Sequence, residues 1–174
     1  MLERYGNMLE TDCEALVITT NGFRKRNGEC VMGKGIAKQI ADAVPALPKR
    51  LGDLIGAHGN VVHYLGDYQG VALVSFPVKP VSEPCNADRS NVVKHMQAKF
   101  KEGDSVPGWA CIADPKMIAQ SLKELKALTD EQGWTDVLCP RFGCGAGELY
   151  WETLKPAVEQ HLDNRFTCMT FQPV

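Results

Sequence analysis

Two short glycine-rich segments, each lying between an apolar run and a helical one, constrain this 174-residue chain more than any other feature. The first is Val31-Met32-Gly33-Lys34-Gly35-Ile36-Ala37, downstream of the strand-like run Ala15 to Thr20 that ends at Asn21. The second is Gly143-Cys144-Gly145-Ala146-Gly147, which follows Val137-Leu138-Cys139-Pro140 and leads into a helix from about Trp151. Glycines carry no Cβ, so backbone N–H groups can approach an anion closely, and a helix start adds the positive end of its dipole. Two such loops at the carboxyl ends of sheet strands suggest a diphosphate held between them. No G-x-x-x-x-G-K-[ST] is present, and Gly33-Lys34-Gly35 lacks the third glycine of G-x-G-x-x-G, so both standard nucleotide folds are disfavoured.

The rest of the chain alternates strand and helix signals, as a layered α/β fold requires. Strands are expected at Leu2 to Asn7, Ala15 to Thr20, Asn60 to Leu65, Val71 to Phe76, Asp136 to Pro140 and Phe166 to Phe171. Helices are expected at Gly35 to Ala43, Ala46 to His58, Met117 to Gln132 and Glu152 to Leu162. Apolar Ile118, Leu122, Leu125 and Leu128 fall on one face of the third of these. The stretch from Lys79 to Pro115 is the least regular, with a short helix expected at Asn91 to Phe100. An irregular insert of that length around residues 80–115 reads as a functional covering or a family-specific addition.

The formal charge of −2 argues against a dedicated nucleic-acid binder but leaves room for a nucleic-acid substrate met by a local patch. Arg24-Lys25-Arg26 reads as a solvated loop tip, with a phosphodiester contact as the alternative. No apolar run is long enough to span a bilayer, and the N-terminus lacks a signal peptide's hydrophobic stretch, so no membrane partner is expected. The seven cysteines are odd in number and contain no C-x-x-C, which reads as reduced thiols in a cytoplasm. A zinc site drawn from Cys139, Cys144 and His95 has poor spacing, and no metal is expected.

The segments Gly6-Asn7-Met8, Ala15 to Asn21, Val31 to Ala37, Phe76-Pro77-Val78-Lys79, Pro140 to Leu149 and Trp151 together resemble the macro domain family. They occur in the family's order and cover nearly the whole chain. The closest branch carries a V-M-G-K-G-I-A loop and a G-x-G-x-G-x-L-x-W loop, and includes DNA ADP-ribosyl glycohydrolase antitoxins and ADP-ribose-1''-phosphate phosphatases. The resemblance implies one domain over residues 1–174 with a three-layer α/β/α fold on a mixed, mainly parallel six-stranded sheet. It also implies a monomer that binds ADP-ribose, free or attached to DNA, protein or a small molecule, without a cofactor.

The candidate ligand-binding residues are Asn7, Met8, Asn21, Met32, Gly33, Lys34, Gly35, Ile36, Gly143, Cys144, Gly145, Ala146, Gly147, Glu148 and Phe171. By resemblance, Asn21 contacts the distal ribose, Phe171 lies on the adenine, and Asn7 replaces an acidic residue that accepts from the adenine amino group. Asn7 accepts more weakly because it is uncharged. The resemblance also places a catalytic lysine at Lys79, so Asn21 and Lys79 are the expected catalytic pair. Cys144 is a candidate thiolate and Glu148 a candidate base. The leading function is hydrolysis of an ADP-ribosyl linkage; two alternatives stay open, a phosphatase acting on ADP-ribose-1''-phosphate and a non-catalytic ADP-ribose reader.

Overall fold

The computed structural model describes residues 1–171, so the last three positions of the expected domain lie outside the described residues. Its centre is the strand β2 (Ala15–Thr20), an apolar run in which five of six residues are buried. Successive side chains of a strand point to opposite faces, so a strand buried on both faces must be apolar throughout. Ala15 and Val17 enter one core with the helices α3 (Pro115–Gln132) and α4 (Trp151–His161). Leu16 and Ile18 enter another with α1 (Gly35–Ala43) and α2 (Leu47–His58). The two cores on opposite faces make three layers, α/β/α.

The remaining strands of the main sheet are β1 (Leu2–Tyr5), β3 (His63–Tyr68), β4 (Val71–Pro77), β7 (Val137–Pro140) and β8 (Phe166–Thr170). Their spatial order is β1-β8-β7-β2-β4-β3, with every neighbouring pair parallel except β3 with β4. The sheet is therefore six-stranded, mixed and mainly parallel, as the resemblance implied. Its five parallel strands end along one edge, and the segments after β1, β2, β4, β7 and β8 gather there.

Besides small shifts at the ends of other elements, three expected elements differ in ways that bear on the site. β3 lies three residues later than expected, because residues 60–62 spend their groups elsewhere. Asn60 donates to the Lys79 carbonyl at 3.0 Å and the Val62 N–H to the Glu124 carboxylate at 2.9 Å. The strand then runs to a tight turn in which Gln69 (φ 51°) and Gly70 (φ 80°) are both left-handed, the geometry that closes a two-residue hairpin. The first strand stops at Tyr5 instead of Asn7, because Asn7 caps a short 3-10 helix, Met8–Glu10, by accepting from the Leu9 N–H at 3.0 Å.

The helix expected at Asn91 to Phe100 is a shorter 3-10 helix, Lys94–Lys99. Residues 91–93 pair instead with 110–112: Val93 donates to the Ala110 carbonyl and Ile112 to that of Asn91. This insert is not irregular. The strands β5 (Ser82–Pro84) and β6 (Ser105–Pro107) form a second, antiparallel sheet. Under it lies a separate small core built on Cys85, Val92, Val93, Met96, Val106 and Cys111.

Candidate functional site

A cleft of about 950 Å³ runs along the edge where the parallel strands end. Both glycine-rich loops line it, as do Asn7, Met8, Asn21, Lys79 and Phe171. The first loop is held open at its base by Asn21. Its amide donates to the Val31 carbonyl at 3.0 Å, and its oxygen accepts from the Phe23 N–H at 2.9 Å, so Val31 takes one of its two amide hydrogens. Gly35 opens α1 with φ of 58°, and a Cβ there would meet nothing within 4 Å. The first N–H groups of a helix have no intrahelical partner, and among the described residues those of Gly35, Ile36 and Ala37, which line the cleft, have no protein acceptor. Lys34, at the N-cap, makes no side-chain capping bond.

The glycines of the second loop do two jobs. A Cβ on Gly143 would come 2.7 Å from the Ala113 Cβ, and one on Gly147 2.5 Å from the Gly143 carbonyl oxygen. These two are glycine because the loop packs tightly over Ala113 and Ile118 and against its own backbone. Gly145 is different: nothing lies within 4 Å of its missing Cβ. Leu149 and Glu148 donate back to Gly143 and Gly145 and curl the loop. Among the described residues, the N–H groups of Gly145, Ala146 and Gly147 have no protein acceptor, so they too are free donors at the cleft.

Lys79 stands between the loops and is only 6% exposed. Its ammonium donates to the Ala146 carbonyl at 3.0 Å and the Trp109 carbonyl at 3.3 Å. Burial pushes its pKa down to about 8; Cys111 and Glu148 oppose the shift and Lys34 adds to it. The group is thus mostly charged at pH 7. With two of three hydrogens taken by carbonyls, one remains for a ligand.

Two expected site residues are placed differently. Glu148 does not line the cleft: it is left-handed (φ 62°), and its carboxylate accepts the Lys94 N–H at 2.9 and 3.3 Å. The turn that curls the second loop swings this side chain onto the insert. Cys144 lines the cleft but is no activated thiolate. It is half-buried, donates to the Phe142 carbonyl at 3.3 Å, and burial raises its pKa to about 11. Asn7 lines the cleft with its oxygen already accepting from Leu9. Phe171 lines it too and is 61% exposed, free of the core.

Several lining residues escaped the sequence reading as ligand contacts: His95 and Trp109 from the insert, Arg141 and Tyr150 beside the second loop, and Thr170 at the end of β8. Trp109 follows the turn signal Pro107-Gly108, a cue in the sequence that could have drawn attention to it. Among the described residues no group of three or more His, Cys, Asp or Glu is placed to hold a metal ion, and no helix is long and apolar enough to cross a membrane.

No family model and no curated protein matches the sequence. Solved structures do match. The DarG macrodomain of Thermus aquaticus aligns at a TM-score of 0.67 and 22% identity over 99% of this chain and 97% of that one. The DarG macrodomain of Mycobacterium tuberculosis aligns at 0.66 and 23% over 99% of each. DarTG of Thermosipho africanus, solved in complex with ADP-ribose, aligns at 0.65 and 17% over 94% of this chain but 39% of its own. With this agreement along nearly the whole chain, the protein has the macrodomain fold.

Proposed function

We propose that the chain is a single domain that binds ADP-ribose and hydrolyses an ADP-ribosyl linkage. The observation that carries this reading is the convergence of two sets of free backbone N–H groups, residues 35–37 and 145–147, on one cleft that also holds the buried Lys79. Such donors suit a diphosphate held without a metal. The Thermosipho DarTG protein, part of which shares this fold, was solved in complex with ADP-ribose, and this supports the same choice of ligand. The base would lie toward Asn7 and Phe171, and the distal ribose toward Asn21 and Lys79.

In the reaction, water adds to the anomeric carbon and the bond to the attached group breaks, releasing ADP-ribose and the protonated leaving group. The second amide hydrogen of Asn21 holds a ribose hydroxyl. The free hydrogen of the Lys79 ammonium meets the negative charge that develops on the leaving group. A phosphatase would draw on Cys144 or Glu148, and neither the raised thiol nor the turned-away carboxylate favours it. Incubating the purified chain with mono-ADP-ribosylated DNA, ADP-ribosylated protein and ADP-ribose-1''-phosphate tests the reading by chromatography. Free ADP-ribose from a modified macromolecule is expected. Binding without turnover on all three would make the domain a reader.

A further inference from the structure

Lys34 and His95 face each other across an exposed part of the cleft, from opposite walls. Lys34 Nζ lies 3.5 Å from His95 Nε2. Each is anchored independently. Lys34 immediately precedes α1 in the first glycine loop. His95 is the second residue of the 3-10 helix Lys94–Lys99, whose first N–H is gripped by the Glu148 carboxylate. The insert is also fastened by the Ala113 N–H, which donates to the Gly147 carbonyl at 3.0 Å, and by Lys79 through Trp109. The second loop therefore sets where His95 stands relative to the first.

Among the described residues neither Lys34 nor His95 forms an ion pair. An ammonium against an imidazole is an unpromising contact, since it survives only while the facing ring nitrogen carries no hydrogen. Lys79 is close enough that the charge on Lys34 disfavours its own. Three basic side chains thus crowd one end of the cleft. Basic groups held this way concentrate positive potential in a hollow, and an anion relieves it.

We propose that Lys34 and His95 form a subsite for one phosphate beyond the diphosphate, beside Lys79. The assignment rests on the ADP-ribose reading above. Lys79 marks the reacting end, so the extra phosphate sits on the anomeric side of the distal ribose. It is either a phosphomonoester there or a phosphodiester of a nucleic-acid strand that carries the modification. The phosphate replaces the Lys34–His95 contact. Lys34 and His95 each donate to it, with the imidazole hydrogen on Nε2.

Calorimetry with ADP-ribose and ADP-ribose-1''-phosphate tests this on the wild type, Lys34→Ala and His95→Ala. Both side chains are exposed, so both variants should fold. The wild type is expected to bind the 1''-phosphate roughly tenfold tighter than ADP-ribose, and that ratio to fall to about one in each variant. An unmodified single-stranded oligonucleotide then identifies the source. Displacement of the 1''-phosphate from the wild type, but not of ADP-ribose from His95→Ala, assigns the subsite to a strand; no displacement assigns it to a terminal phosphate. A wild-type ratio near one, or a ratio preserved in both variants, overturns the subsite. Absence of ADP-ribose binding overturns instead the reading on which it rests.

Discussion

The Lys79 ammonium donates to the carbonyl of Ala146 at 3.0 Å, so the end of β4 is tied directly to the second glycine loop. A second bond, to Trp109, ties it to the insert as well. One side chain thus joins sheet, loop and cleft wall, and still keeps a hydrogen for a ligand. A lysine placed only to hold a loop would not need to line the cleft, and a lysine placed only for chemistry would not need two carbonyls.

Lys79→Ala is expected to keep ADP-ribose binding and to lose roughly a hundredfold or more in release of ADP-ribose from a modified substrate. A group that stabilises charge only in the transition state affects kcat and leaves binding nearly intact. Single-turnover release, set beside calorimetry, separates the two. A variant as fast as the wild type would pass the chemistry to Asn21 and a positioned water.

Stability should rise between pH 8 and 10.5 through the same side chain. Its folded pKa of about 8 lies below the unfolded value of 10.5, so the unfolded chain binds more protons across that window. The cost of burying the charge is present below pH 8 and is relieved as pH rises. The relief is on the order of 3 kcal/mol. Urea melts of the wild type and Lys79→Met at both pH values should differ by that gain; parallel pH dependence would mean the lysine is not depressed.

Gly145→Val and Gly147→Ala should fail differently. The first places a side chain in open cleft space, so the fold stays intact by circular dichroism while ADP-ribose binding is lost. The second drives a Cβ to 2.5 Å from the Gly143 carbonyl oxygen, so its melting temperature should fall. Undiminished affinity in folded Gly145→Val would remove the second loop from the site.

ADP-ribose itself should bind the wild type with micromolar affinity, about −8 kcal/mol, and AMP far more weakly. AMP reaches neither Asn21 nor Lys79 if the base lies toward Asn7. Equal affinities by calorimetry would contradict a ligand spanning both loops.

Glu148→Ala should loosen the insert. It removes the carboxylate that accepts from Lys94 and leaves the start of the 3-10 helix uncapped. The expected cost is about 1 kcal/mol, or roughly 3 °C in Tm, with faster proteolysis within residues 85–104. An unchanged digestion pattern would show that the insert holds without this bond.

The strands β2 and β7 were legible in the sequence because a strand covered on both faces must be a short unbroken apolar run, as Ala15 to Ile18 and Val137 to Cys139 are. The glycine loops were legible because each directly follows or trails such a run. The insert was not. Its core residues, Cys85, Val92, Met96 and Val106 among them, come from short separate segments that share no single period, and β5 meets β6 across a long intervening segment. Lys79 could be singled out by its place after Phe76-Pro77-Val78. Its tether could not, because the partners are main-chain carbonyls 30 and 67 residues further on, which any residue type supplies. Glu148 went astray for a local reason instead: a left-handed backbone at a residue that is neither glycine nor asparagine reverses where the side chain points.

The pairing of β1 with β8 sets Leu2 against Thr167 and Tyr5 against Thr170. A chain made from its amino end therefore releases β1 long before the strand that receives it. Contacts so distant along the sequence form slowly and late. Until β8 emerges, β1 is an unpaired ribbon, and the bond from the Gly6 N–H to the Thr170 carbonyl that ties this segment to the sheet is missing. A nascent chain halted before Phe166 would carry both glycine-rich segments yet present an open-ended groove, and ligand added at that stage should not protect it from protease.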